Sequence, residues 1–260
     1  MSYKAVFFDI DGTLINEEKQ IPNTTREAVE RLKGNGVDVF IATGRAPSQF
    51  RFVADEFGID SFVTCNGGYA EYRGKPVFGN PIPRHTLQLL SEQAHESGHA
   101  LVFAGSDACY ATVDQHPFVT EAFDYLKIVK KPEFSPDVWK ETDIYQVYLY
   151  CEEPKEQPYI ERFPNLNFIR AHKLYLDLFP KDVSKAGGIE AMLHHLKLTP
   201  EQVVAFGDGM NDVQMLSYVG MGIAMGNARD EVKSYAKFIT KDVNNGGILY
   251  GLEKIGLLSS

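Results

Sequence analysis

Apolar residues fall into two rhythms along this chain. Short unbroken runs, Ala5-Val6-Phe7-Phe8, Val39-Phe40-Ile41-Ala42, Phe62-Val63-Thr64-Cys65 and Val203-Val204-Ala205-Phe206, alternate with stretches whose apolar positions recur at helical spacing. Runs this short, bounded by glycine and polar residues, predict buried strands, and the stretches between them predict helices. One helix is expected over 26–33, entered and capped through Pro22-Asn23-Thr24-Thr25 and stopped by Gly34 and Gly36. Others are expected over 48–57, 185–196 and 247–255, with further short strands at 222–225 and 238–240. Strands separated by helices imply right-handed crossovers and a parallel sheet.

The rhythm breaks at Pro81 and Pro83, which bracket a linker. Beyond them the pattern predicts a helix over 85–97, strands over 100–104, 109–113 and 144–151, a helix over 155–163, and a hairpin pairing 167–171 with 173–179. Helical spacing in the earlier style resumes after Phe179-Pro180-Lys181-Asp182. The expected organisation is an α/β parallel-sheet core formed by residues 1–81 and 182–260, cut once by an inserted α+β unit over 82–181. Within the insert, Tyr145, Tyr148 and Tyr150 alternate with Val147 and Leu149, as on a strand packed against helices, and packing is preferred over a pocket-lining role.

Composition narrows the classes. A formal charge of −9 disfavours binding to nucleic acid or to an anionic membrane, both of which call for basic surfaces. The three cysteines, Cys65, Cys109 and Cys151, are odd in number and far apart, as reduced thiols of the cytoplasm would be. The amino terminus runs straight into a strand without a leader pattern, and no apolar stretch approaches the roughly 18 residues of a membrane span. A cytoplasmic monomer is expected. The seven histidines show no zinc-ligand spacing.

The chemistry gathers where the predicted strands end. Asp9 and Asp11 follow the first, Thr43-Gly44-Arg45 the second, Asn66-Gly67-Gly68 the third, and Asp208, Asn211 and Asp212 follow the strand at 203–206, with Lys185 opening the helix before it. In open α/β sheets, ligands bind beyond the carboxyl ends of the strands. Side chains alternate along an extended segment, so Asp9 and Asp11 are expected to point the same way, and two acids on one face need a cation, a shared proton or a substrate to offset their repulsion. Mg²⁺ takes oxygen ligands and keeps several waters, so Asp9 and Asp208 with a phosphate oxygen make a sensible set. Thr43, the Gly44 N–H and Lys185 would hold the remaining phosphate oxygens. Blander readings stand beside these. Asp208 and Asp212 could favour a helix N-terminus. Arg45 could face a substrate or pair with an acid, Asn66 and Gly67 could only make a turn, and Asn211 could touch phosphate or orient Lys185.

Four segments, Asp9-Ile10-Asp11-Gly12-Thr13, Ala42-Thr43-Gly44-Arg45, Ser184-Lys185 and Gly207-Asp208-Gly209-Met210-Asn211-Asp212, resemble the ordered motifs of the haloacid dehalogenase (HAD) superfamily of phosphatases. Asn66-Gly67-Gly68, Met225-Gly226-Asn227-Ala228 and the position of the insert resemble its Cof-type branch. The resemblance implies a Rossmann-like core with an α+β cap, and hydrolysis of a small phosphorylated metabolite in two steps. Asp9 would attack phosphorus to give an aspartyl-phosphate, and Asp11 would protonate the leaving alcohol and then deprotonate water. Mg²⁺ would be held by Asp9, Asp208 and the backbone carbonyl of Asp11, with Asp212 and Asn66 in support. A phosphomutase is the main alternative, followed by a non-hydrolytic phosphoacceptor and a sugar-phosphate sensor.

Overall fold

The computed structural model of the protein describes residues 3–259. The chain divides into two compact units, the first comprising 1–44, 52–78 and 184–260, the second 45–51 and 79–183.

In the first unit, β1 (Ala5–Phe8) leads through α1 (Asn23–Gly34) to β2 (Asp38–Ala42), and then through α2 (Pro47–Phe57), whose residues up to Arg51 group with the second unit, to β3 (Phe62–Thr64), β4 (Tyr69–Tyr72) and β5 (Lys75–Gly79). No side chain caps α1: Asn23, Thr24 and Thr25 form its first turn instead of preceding it, and Pro22 occupies the cap position. β4 and β5 are not foreseen by the run-and-helix pattern. β4 runs antiparallel to β3, pairing Val63 with Ala70, so the sheet is parallel only in part. The signal for this hairpin is Arg73-Gly74, both at positive φ as a two-residue turn requires. Pro76 confines β5 to an edge, where a missing N–H is tolerated.

In the second unit, α3 (Arg84–Ser97), β6 (Ala100–Ala104), β7 (Cys109–Ala111), α4 (Pro117–Tyr125) and β8 (Glu133–Phe134) precede β9 (Gln146–Tyr150), α5 (Gln157–Arg162), β10 (Leu166–His172) and β11 (Tyr175–Pro180). The chain then returns to the first unit with α6 (Lys185–Leu196), β12 (Val203–Gly207), α7 (Val213–Tyr218), β13 (Met221–Ala224), α8 (Asp230–Lys233), β14 (Phe238–Ile239) and α9 (Gly247–Lys254).

Among the described residues, the core strands form one sheet in the order β14-β13-β12-β1-β2-β3-β4-β5 and the cap strands another in the order β10-β11-β9-β6-β7-β8. β1 lies between β12 and β2, in parallel register with both. Its residues are buried on both faces: Phe7 stacks on Phe40 and Phe8 on Phe206, with ring centroids 4.6 and 5.2 Å apart. Ile189, Met192 and Leu193 of α6 and Met215 and Leu216 of α7 pack on the Phe7 face. β1 is thereby covered on each side, and Asp9 and Asp208 stand just beyond the ends of β1 and β12. In the cap sheet, Leu101, Phe103, Val147, Leu149, Leu176 and Leu178 join α3 and α5 in one apolar cluster. Tyr148 and Asp177 are cross-strand partners in register, as are Tyr150 and Tyr175, so they occupy the other face. No described helix is long and apolar enough to cross a membrane.

Candidate active site

β1 stops at Phe8, and the strand alternation expected to align Asp9 with Asp11 stops with it. The Asp9 N–H still donates to Phe206 O at 3.0 Å, which seats Asp9 beside β12. The chain then turns through Gly12, at φ +79°, where a Cβ would overlap the Asp208 carboxylate. Only glycine therefore allows the first acid-bearing loop to lie against the second. The two acids end in different surroundings: Asp9 is buried, whereas the Asp11 side chain is 38% exposed.

Lys185, the first residue of α6, follows Ser184, whose Oγ accepts from the Gly187 N–H and caps the helix. Its side chain is fully buried, and its ammonium donates to Asp9 Oδ1 and Asp212 Oδ1, both at 2.6 Å. The other Asp212 oxygen accepts the N–H groups of Asp208 and Gly209 at 3.0 and 2.9 Å. Asp212 therefore serves both sides of the sequence reading, shaping the turn after β12 and holding Lys185. Asp208 Oδ1 accepts from Thr13 Oγ1 at 3.0 Å, and its Oδ2 receives Asn227 Nδ2 at 3.4 Å. Asn227 also donates to Gly12 O at 2.9 Å, tying the two acidic loops together.

Carboxylate oxygens of Asp9, Asp208 and Asp212 lie within 4.8 Å of one another, with one ammonium among three acids. Burial, then Asp212, pushes the carboxyl of Asp9 well above the ordinary range, although Lys185 pulls it down. Asp208 is pushed up to about 7 for the same leading reasons. Lys185 itself is raised, because Asp212 and Asp9 outweigh its burial. A divalent cation would supply the missing positive charge, and an all-oxygen donor set suits a hard ion. Asp212 has one oxygen on the Lys185 ammonium and the other on two backbone N–H groups, whereas no oxygen of Asp9 or Asp208 takes more than one of these hydrogen bonds, so those two are the better placed acids for such an ion.

Thr43 is buried just beyond β2; its N–H donates to Val63 O at 2.9 Å and its carbonyl accepts the Asn66 N–H at 3.2 Å. Gly44 packs against the Asn66 carboxamide, and Asn66 Oδ1 accepts from Asn211 Nδ2 at 3.1 Å. Asn211 thus pairs with Asn66, while the hydrogen bonds that orient Lys185 come from its two acids. Cys65, Asn66 and Gly67 all have positive φ, at 52°, 54° and 101°, so the turn is a run of left-handed residues. A Cβ on Gly67 would overlap the Ser184 carbonyl, directly before Lys185. Arg45 groups with the cap unit, where its buried guanidinium donates to Gln49 O at 3.1 Å. Gln49 Oε1 in turn accepts from the Tyr148 hydroxyl at 2.8 Å and from the Ala46 N–H at 3.1 Å.

Thr13, Lys19 and Asn227 contact the acids of this site without having been singled out from the sequence. Thr13 and Asn227 lie inside recognised segments, which was the available signal. Lys19, whose ammonium is 2.7 Å from Asp11 Oδ1, lies outside all of them.

The profile of the haloacid dehalogenase-like hydrolases matches residues 6–252. The protein YkrA of Bacillus subtilis (strain 168) is 40% identical over 258 residues, covering 99% of this chain and 100% of its own length. A crystal structure of a protein from Geobacillus kaustophilus HTA426 superposes with a TM-score of 0.92 at 45% identity, over 99% of this chain and 100% of that one. The HAD subclass IIB sugar phosphatase BT4131 gives a TM-score of 0.86 at 28% identity, over 98% of this chain and 100% of that one. The Rossmann-like core with its inserted cap, the acid cluster at the strand ends and these likenesses agree: the chain belongs to the haloacid dehalogenase-like hydrolase family, on its Cof-type branch, and is a phosphatase of small phosphorylated substrates.

Proposed function

We propose that the protein is a Mg²⁺-dependent phosphohydrolase that works through an aspartyl-phosphate on Asp9 and acts on a sugar phosphate or a phosphorylated cofactor. The observation that carries this reading is the cluster of three acids at the ends of β1 and β12, two of them buried on the Lys185 ammonium. Asp9 attacks phosphorus, and Lys185 restrains the Asp9 carboxylate while presenting positive charge to the phosphoryl oxygens. Asp9, Asp208 and the Asp11 carbonyl would hold Mg²⁺, which would offset the charge of the acids and of the phosphate. Thr43 and the Gly44 N–H take further phosphoryl oxygens, with Asn66 and Asn211 bracing that loop. Asp11 gives its proton to the leaving alcohol and recovers one from the water that opens the aspartyl-phosphate. Arg45 and the inserted residues 82–181 contribute substrate choice. A sugar phosphate is favoured by the likeness to BT4131, which is named as a sugar phosphatase.

Asp9→Asn tests the reading. With p-nitrophenyl phosphate and Mg²⁺, kcat is expected to fall by at least about 10⁴-fold, as for loss of other covalent nucleophiles. Brief incubation of wild-type protein with labelled substrate should yield acid-stable label that the variant lacks. Wild-type rates in the variant would remove Asp9 as nucleophile, and inorganic phosphate as a minor product would favour the mutase.

A further inference from the structure

The contact between Lys19 and Asp11 is built rather than incidental. Lys19 lies in a turn fastened by Asn16: the Lys19 N–H donates to Asn16 O at 3.0 Å, the Gln20 N–H to Asn16 Oδ1 at 2.9 Å, and the Asn16 N–H to Gln20 O at 3.0 Å. Asn16 Nδ2 is tied to Asn244 Oδ1, also at 3.0 Å, which fixes the turn to the far end of the core chain. Lys19 itself adopts φ +58°, a conformation unfavourable for a side chain longer than glycine and one that persists only where the surroundings impose it. Its side chain is 10% exposed, although a lysine at a loop tip ordinarily keeps its ammonium in water. The ammonium is instead delivered 2.7 Å from Asp11 Oδ1. β1 has ended before Asp11, whose backbone meets Ile15 in an isolated bridge and whose side chain is 38% exposed.

We propose that Lys19 is a positioning residue for the acid-base step, clamping Oδ1 of Asp11 so that Oδ2 is the oxygen that carries the proton. In the first step the Oδ2–H bond breaks as the alkoxide, released when its bond to phosphorus is cut, takes the proton and leaves as the alcohol. In the second, Oδ2 takes a proton from water as the water oxygen bonds to phosphorus and the Asp9 oxygen–phosphorus bond breaks, freeing the Asp9 carboxylate and inorganic phosphate. Asp11 is regenerated and the proton count balances. A clamp on one oxygen halves the orientations a two-oxygen carboxyl can present, and this matters only when the leaving group needs the proton. The inference rests on the acid-base reading of Asp11 given above.

Lys19→Met, Lys19→Arg and Asp11→Asn, compared on p-nitrophenyl phosphate and on an alkyl phosphate, test it. Nitrophenolate leaves without help, whereas an alkoxide does not. Lys19→Met is expected to lower kcat on the alkyl ester about tenfold more than on the aryl ester, with KM little changed, and Lys19→Arg to restore most of the loss; the full acid-base contribution is about 10²- to 10⁴-fold. Thermal melting verifies that each variant is folded, and Lys19→Gln replaces the Met variant if that one is not. Equal losses on both esters in Lys19→Met, with the discrimination present in Asp11→Asn, overturn the clamp and leave the role of Asp11 standing. Equal losses on both esters in Asp11→Asn overturn the acid role, and the clamp with it.

Discussion

The core and cap sheets solve the same burial problem in opposite ways. The core strand β1 is apolar on both faces, so its function is displaced to the next few residues along the chain, Asp9 to Thr13. In the cap, β9 buries Val147 and Leu149 against helices and turns Gln146, Tyr148 and Tyr150 to the other face, where Asp177 and Tyr175 join them. A sheet covered on two sides concentrates its chemistry in loops; a sheet covered by helices on one side spreads polar groups over every second residue of several strands. The core arrangement leaves compact signatures in the chain, whereas the cap arrangement is hard to tell from ordinary packing.

Breaking the core cluster should have the largest effect. Lys185→Met leaves Asp9 and Asp212 buried without their ammonium. Loss of one partner of a buried ion pair costs about 3–5 kcal/mol, so a pronounced drop in melting temperature should accompany loss of phosphatase activity. Adding Asp212→Asn to that variant should recover stability without recovering turnover. If Lys185→Met melts like the wild type, the cluster does not carry the electrostatic load assigned to it.

A smaller effect concerns pH. The carboxyl of Asp208 is pushed up to about 7 from 3.8, so between those values the folded chain holds a proton that the unfolded chain releases. Stability from this group is complete below about pH 4 and is lost as pH rises through about 7. Metal-free wild type should therefore lose stability relative to Asp208→Asn across that interval. Mg²⁺ should reverse the trend, adding about 2.7 kcal/mol at a hundred times its Kd. Parallel pH profiles for the two proteins, read by thermal unfolding with chelator and then with Mg²⁺, would count against this account.

The mildest test lies in the cap. Tyr148→Phe removes the hydroxyl that donates to Gln49 and accepts from the Ala46 N–H at 3.2 Å. About 1 kcal/mol of stability should go with it, while kcat on p-nitrophenyl phosphate stays near wild type. A collapse of kcat on this minimal substrate would place chemistry on the cap face and erase the contrast between the sheets.

The same contrast explains what could be read in advance. Asp9, Lys185, Asp208 and Asp212 were legible because each sits within a few residues of an apolar run or a helix start, and the structure gathers all four. Lys19 was not, because a lysine well beyond the end of β1 and short of α1 has no local mark, and its left-handed backbone is imposed by Asn16. The strand alternation from which Asp9 and Asp11 were read stops at Phe8, because periodicity reports the extended state but not where it ends. In the fold, the runs that make β1, β2, β3 and β12 stood out. β4, β5, α4 and β8 did not, being short, exposed at edges or punctuated by proline.

The seat of Gly67 against the carbonyl of Ser184 joins two halves of the core that are far apart along the chain. Past β4 and β5, the stretch 79–183 between them is, for the core, a loop whose ends are already fixed. The entropic cost of closing such a loop grows only logarithmically, by about 0.6 kcal/mol for each doubling of its length. The inserted unit could therefore be lengthened, trimmed or exchanged at almost no thermodynamic cost to the residues that surround Asp9. Evolution could thus change which phosphate ester is accepted while the hydrolytic apparatus stays the same, with Gly67 as the joint that makes the exchange cheap.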